Sequence, residues 1–333
     1  MILLWGMTGD EPLSAVIASL ERRNEPYALI DQRDVLDTTV ELSIGPALGG
    51  TVTVRGASIS LDGIGAMYMR QYEARKLPDV ASGGADAAAR VASVETALWT
   101  WAEHTDAHVF NRPSAMASNG SKPYQAAIIQ AVGLSTPPTL ITTDPAAARA
   151  FWDRHGTIIY KSVSSVRSIV SRLSPDDVDR LRDVITCPTQ FQKHIPGHDV
   201  RVHVVGDDMF PARIETGADD YRYATRQGSS AEITACTLPP EILARCRMLS
   251  ERLRLPLAGI DLRCTPDGEW YCLEVNPSPA FIFYQRRTCQ PISETFTQLM
   301  IDAARQRSQA GSPEGLTSRS STPHRSTGHG PAA

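Results

Sequence analysis

Residues 259–281 read GIDLRCTPDGEWYCLEVNPSPAF, and this stretch predicts a β-hairpin with acids on both arms. Thr265, Pro266, Asp267 and Gly268 supply the turn chemistry, while Ile260, Leu262, Trp270, Tyr271, Leu273 and Val275 supply strand formers. Glu274 and Asn276 are two apart, so on a strand they share a face, and the hairpin brings Asp261 towards them. Two carboxylates and an amide oxygen converging in this way form a hard-oxygen site suited to Mg2+, with water and nucleotide phosphates in the remaining positions. Read alone, the hairpin fits two ordinary surface acids equally well, so the rest of the chain has to decide.

The 333 residues can bury a substantial core in two or three structural units, and a hydrophobic fraction of 42% with 21% charged residues is that of a soluble globular protein. A net charge of −4 offers no basic field for nucleic acid. No apolar run approaches the length of a membrane span. The opening MILLWG is short and is followed by Asp10 and Glu11, which suits a buried first strand rather than a signal peptide. Six cysteines (Cys187, Cys236, Cys246, Cys264, Cys272 and Cys289) form no CxxC pair. Structural zinc and a disulfide framework are therefore not expected, and the expected compartment is a reducing cytoplasm.

Periodicity predicts an α/β chain. Residues 1–110 form an N-terminal α/β domain: strands over Met1–Trp5, Tyr27–Ile30 and Ala66–Arg70, a hairpin over Thr51–Val54 and Ser58–Leu61, and helices over Pro12–Arg23 and Ala85–His104. The Gly6–Asp10 loop fits neither a Rossmann fingerprint nor a Walker loop. Helices follow at 123–132, 144–154 and 174–185, with Asp144 and Ser174 as N-caps ahead of Pro145 and Pro175. Strands follow at Thr157–Lys161, Thr189–His194, Asp199–Val205 and Met209–Ile214. A helix over Leu238–Leu253 precedes the acidic hairpin, and one over Pro291–Gln306 closes the fold. From Arg307 the chain is rich in Ser, Thr, Gly, Pro and Arg without aromatics, which reads as a disordered tail, 307–333.

Taken in order, Lys122 in SKPYQ, Lys161 ending IIYK, the polar strand TQFQKHIPG, the Arg-bearing DVRVHVVGDDMFPARIET and the hairpin ending LEVNPSP form a series. This series resembles the ATP-grasp ligases over about Asn111 to Ile301. Within them it is similar to the branch of ribosomal-protein glutamate ligases and of the graspetide ligases that cross-link microviridin-type peptides. The resemblance implies an ATP-grasp fold with a pre-grasp domain (1–110), a central subdomain (111–188) carrying a phosphate-covering loop, and a C-terminal subdomain (189–306) carrying the metal hairpin. It implies ATP and Mg2+ as cofactors. Lys122 and Lys161 match the lysines that hold nucleotide phosphates, as compact point charges. Gln190, Phe191, Gln192, Lys193 and His194 match the linker whose backbone reads adenine. Arg213, with Lys161, matches the groups nearest the transferring phosphoryl, and Asp261, Glu274 and Asn276 match the metal ligands. The chain departs from the family in two places: Ser162–Arg167 holds no glycine where a Gly-rich lid is common, and Pro277–Phe281 lacks the Gly and Trp usual in graspetide ligases.

Arg201 is a candidate for a substrate carboxylate or phosphate, with pairing to Asp199 or another acid as the structural alternative. Arg213 is divided in the same way between phosphate and Glu215. Arg222 and Arg226, in DDYRYATRQ, are candidate binders of the substrate carboxylate. The implied reaction activates a peptide or small-molecule carboxylate as an acylphosphate, which an amine or hydroxyl then attacks. An ATP-grasp phosphotransferase and a non-catalytic nucleotide-binding module are the alternatives. No nucleic-acid or membrane partner is expected, and a homodimer is compatible with the class.

Overall fold

The computed structural model describes residues 1–45, 47–162, 170–216 and 231–310. Of the expected lid, Ser162–Val170, residues 163–169 lie outside them, as do Arg222, Arg226 and the tail from residue 311.

β1 (Ile2–Gly6), α1 (Glu11–Arg22) and β2 (Tyr27–Asp31) open the chain, followed by a meander of β3 (Thr38–Ile44), β4 (Leu48–Val54) and β5 (Ala57–Ser60), and then by β6 (Ala66–Arg70), α2 (Pro78–Ser82), α3 (Gly84–His104) and β7 (His108–Phe110). β2, β1, β6 and β7 pair in that order, all parallel. The unbroken apolar run of β1 follows from burial on both faces. Leu3 and Trp5 pack with Val91, Leu98 and Trp101 of α3, whereas Ile2 and Leu4 pack with Leu13, Val16 and Leu20 of α1. The expected hairpin is the second half of the meander. Its first strand, TTVELSI, packs Val40 and Leu42 against the α3 core.

The middle of the chain holds α4 (Pro113–Met116), α5 (Lys122–Ala131), β8 (Thr139–Thr142), α6 (Pro145–His155), β9 (Ile158–Ser162), β10 (Ser171–Arg172) and β11 (Thr189–Lys193). These strands form an antiparallel sheet in the order β10-β9-β11-β8. Between β10 and β11, Pro175–Ile185 forms 3₁₀ turns rather than the expected α-helix. Its buried residues, Leu181 and Val184, are three apart, and 3₁₀ geometry stacks that spacing on one side.

β12 (His198–Val205), β13 (Asp208–Thr216), β14 (Ala231–Ala235), α7 (Pro240–Leu253), β15 (Leu257–Cys264), β16 (Trp270–Asn276), α8 (Ile282–Thr288) and α9 (Ile292–Ala310) complete the described fold. Their five strands form an antiparallel sheet in the order β14-β13-β12-β15-β16. One face of it is core: Val200, Val202, Val204, Ile260, Leu262, Cys272 and Val275 pack against Ile242, Cys246, Leu249 and Leu253 of α7. α9 crosses back to the N-terminal unit, where Phe296, Met300 and Ile301 join the α1 core. Glu294 accepts a hydrogen bond from Ser19 at 2.9 Å and pairs with Arg22 and Arg23. This helix runs through Ala310, past the expected start of the tail at Arg307, and Arg307 pairs with Asp106 at 3.4 Å. No helix among the described residues is long and apolar enough to cross a membrane.

Candidate active site

The face of the five-stranded sheet opposite its core carries charge. Strand register aligns Arg201 with Asp261 and Asp199 with Arg263. Arg201 donates to Asp261 Oδ1 at 2.7 Å, and Arg263 makes a bidentate pair with Asp199, with 2.8 Å for each bond. The acid that pairs with Arg201 is therefore not the expected Asp199, which takes Arg263, but Asp261. Arg201 is 5% exposed, with its guanidinium carbon 5.8 Å from the centre of the Tyr284 ring.

Glu274 reaches this face because of an irregularity that the hairpin pattern does not announce. Asp261 pairs with Glu274, but the next residue, Leu262, pairs with Cys272. Leu273 is thus the extra residue of a β-bulge. Cys272 and Val275 both face the core, three apart, and Glu274 is turned to the face of Asp261; in an unbulged strand it would point with Cys272. Asn276 aligns with Gly259 on the same side.

α5 delivers the first lysine. Ser121 caps its N-terminus and Pro sits in its first turn. Gln125 then pins it to the edge strand β16, donating to Val275 O at 2.8 Å and accepting from Val275 N at 3.2 Å. Lys122, three residues earlier, lands on Glu274 Oε2 at 2.8 Å, and Lys161 at the end of β9 approaches the same oxygen at 4.0 Å. Four of the candidate residues therefore converge from four elements: Lys122 from α5, Lys161 from β9, Glu274 from β16 and, in cross-strand register, Asp261 from β15. Burial pushes the Asp261 carboxyl up and the Glu274 charge adds to this, while Arg201 opposes it.

The opposite wall is the cleft face of β8, β9 and β11. Phe191, Tyr160 and Ile158 face that sheet's own core. By alternation Gln190, Gln192, Lys161, Ile159 and Ile141 face the other way. The Gln190–Lys193 backbone pairs with strands on both sides, and the N–H groups of Lys193 and His194 are taken by Pro138 O and Thr157 O. Gln190 and Gln192 of this segment turn their side chains to the cleft. Gln190 is 3% exposed, and its Oε1 has no hydrogen-bond partner.

Arg213 does not join the cluster. It aligns with Val200, on the sheet face opposite Arg201 and Asp261, and pairs with Glu215 at 2.8 Å. Sequence reasoning also missed Gly259, Tyr284, Gln125 and Leu273, all of which shape the site.

His203 lies two residues beyond Arg201 on the same face, fully buried, with neither ring nitrogen hydrogen-bonded and its ring 4.7 Å from that of Tyr284. Burial, and then the Arg201 charge, hold its pKa well below the ordinary value. The unfolded chain therefore takes up a proton below about pH 6.5 that the folded chain refuses, so stability falls as the pH drops through that value. Denaturant titrations across this range are expected to show a shallower acid loss for His203→Phe. Identical slopes for both proteins would exclude His203 as the source.

An antiparallel sheet bearing a lysine, facing a second sheet bearing carboxylates, an arginine and an amide, behind a parallel α/β unit, is the ATP-grasp architecture, and the chain shares this fold with ATP-grasp ligases of known structure. Within the class it is similar to PsnB, solved with a phosphomimetic variant of a minimal precursor, Mg and ADP (27% identity, TM-score 0.77, covering 91% of this chain and 98% of that one). It is also similar in fold to the macrocyclase MdnC from Microcystis aeruginosa bound with precursor peptide MdnA (22% identity, TM-score 0.78, 91% and 100%). A third likeness is to a RiPP-associated ATP-grasp ligase from Chryseobacterium gregarium in complex with ADP and a leader and core peptide (21% identity, TM-score 0.78, 90% and 96%). No family model and no curated protein sequence matches the chain.

Proposed function

We propose that this ligase modifies a precursor peptide, joining a side-chain carboxylate to an amine or hydroxyl of the same peptide through an acylphosphate. The observation that carries this reading is the approach of Lys122 and Lys161 to one oxygen of Glu274, beside Asp261 and Arg201. The likeness to ligases solved with precursor peptides supports the peptide substrate.

The residues fit Mg2+. Asp261 and Glu274 face each other with like charges that a divalent cation would relieve, and Asn276 adds an amide oxygen on the same face. Among the described residues no group of three or more His, Cys, Asp or Glu side chains forms a metal cage. Mg2+ bound by two carboxylates, an amide and nucleotide phosphates needs none. When bound, the metal would neutralise charge on the phosphates. Lys122 and Lys161 would hold the phosphates as point charges. Gln190 Oε1, buried without a partner, suits the 6-amino donor of adenine, while Ile159 and Ile141 supply apolar surface for the base.

A carboxylate resists nucleophiles because of its own charge. Attack of its oxygen on the γ-phosphorus forms the acylphosphate and expels ADP; the amine or hydroxyl then adds to the acyl carbon, phosphate leaves, and the nucleophile loses its proton. Arg201, held beside Asp261, would face the charge that builds on the transferred group. We take residues 1–110, 111–188 and 189–306 as the working units of this enzyme, with Arg222 and Arg226 as candidate contacts to the peptide. Six thiols without a disulfide suit a reducing cytoplasm.

Mass spectrometry of the purified chain with MgATP and peptides encoded beside it tests this reading. The expected product has lost the mass of one water per bond, with ADP and phosphate formed in step. A product that gains phosphate mass would establish a phosphotransferase instead. ATP binding without any product from those peptides would favour a non-catalytic module.

A further inference from the structure

We infer that Arg70, in the N-terminal unit, is a positioning residue for the metal ligand Asn276 and couples that unit to the metal site. The inference rests on the reading of Asn276 as a ligand. Arg70 ends β6, at the C-terminal edge of the parallel sheet, and its side chain is 14% exposed. Its Nε donates to Asp10 Oδ1 at 3.0 Å, and its Nη1 donates to Ser278 O and Ser278 Oγ, both at 2.7 Å, and to Pro279 O at 3.3 Å. One guanidinium therefore grips the loop just after the metal hairpin.

That loop fixes Asn276. The N–H of Ser278 donates to Asn276 Oδ1 at 2.9 Å, an Asx turn that sets the amide plane and leaves the oxygen's second lone pair for a cation. Asn111, which follows β7, holds the same loop from the other side, donating to Pro277 O and to Leu257 O, each at 2.6 Å. Metal ligands take their orientation from such outer partners, whose loss typically costs about 10- to 100-fold in metal affinity.

The other end of the relay is equally placed. Asp10 is the N-cap of α1, accepting from Leu13 N at 3.1 Å, in the loop after β1. β1 and β6 are the central pair of the sheet: the chain leaves β1 towards β2 on one side, and leaves β6 towards β7 on the other. In open α/β sheets ligands bind above such a switch point. A substrate group seated there would press on the Asp10–Arg70 pair and, through Ser278, on Asn276. The arrangement makes metal affinity depend on the state of the N-terminal unit.

Lysine keeps the charge at this position but not the fork that spans Asp10 and Ser278. Electron paramagnetic resonance of free Mn2+ during titration of the ADP complex reads metal affinity without turnover. Arg70→Lys and Arg70→Ala are each expected to weaken Mn2+ binding by about 10-fold or more, with metal-free ADP binding and far-ultraviolet circular dichroism unchanged. The Mg2+ concentration for half-maximal ATP turnover should rise in parallel. Should the alanine variant misfold, the lysine variant decides. Unchanged Mn2+ affinity in Arg70→Lys would overturn the coupling alone. Wild-type protein that binds ADP but no Mn2+ would overturn the metal reading and this inference together.

Discussion

The double variant Asp261→Asn with Glu274→Gln is expected to lose Mg2+-dependent turnover by ~10³-fold or more, beyond the loss from one preorganised group, and to stay folded. Both changes are close in shape, so the sheet has no cavity to absorb. Their electrostatic consequences for the fold partly cancel. The Asp261 carboxyl is already raised by burial and by Glu274, so neutralising it removes a disfavoured charge. The Asn oxygen can still accept from Arg201, although Arg201 loses its counter-charge. Lys122 and Lys161 lose the acid they approach at 2.8 and 4.0 Å, but in the proposed site nucleotide phosphates would still partner them. Metal-free ADP binding is therefore expected to survive while turnover does not. Turnover retained at near wild-type level, with circular dichroism unchanged, would sink the metal assignment.

What could be read from the sequence follows from the range of each interaction. Asp261, Glu274 and Asn276 are joined by one short hairpin, and the turn residues Thr265–Gly268 announce it, so their proximity is local information. Lys122 and Lys161 could be placed only by resemblance, because 152 residues separate Lys122 from the oxygen it meets. The pairing of Arg201 with Asp261 depends on the register between β12 and β15, 60 residues apart, and no pattern within either strand fixes it. Arg213 shows the same limit from the other side. The alternation of Ala212, Arg213, Ile214 and Glu215 fixes which residues share a face, but only pairing with β12 reveals that Arg213 lies away from Asp261. The bulge at Leu273 left a faint local trace, two core-facing residues at an odd spacing, Cys272 and Val275. The run Leu273–Glu274–Val275–Asn276, which alternates cleanly, concealed it.

Gly259→Ala is expected to lower turnover by about 10²-fold or more, the scale of losing one transition-state donor, through a residue that has no functional group. A Cβ there would lie 2.0 Å from Nη2, 2.4 Å from Cζ and 2.7 Å from Nε of Arg201. The guanidinium lies flat across the glycine, between Asp261 and the ring of Tyr284. The obstacle is the end of a flexible side chain rather than backbone, so the chain can still fold. Arg201 must swing away, breaking its 2.7 Å bond to Asp261. A half-buried carboxylate is then left without its cation; the loss costs about 3–5 kcal/mol for a fully buried pair, and less here, where Asp261 keeps some access to water. A double-mutant cycle with Arg201→Met separates this mechanism from simple damage to β15. Once Arg201 is gone the added methyl has nothing to displace, so the double variant should turn over at the rate of Arg201→Met alone. If the two losses instead multiply, Gly259 acts by some route other than Arg201, and the flat seat of that guanidinium is not what the glycine is there to provide.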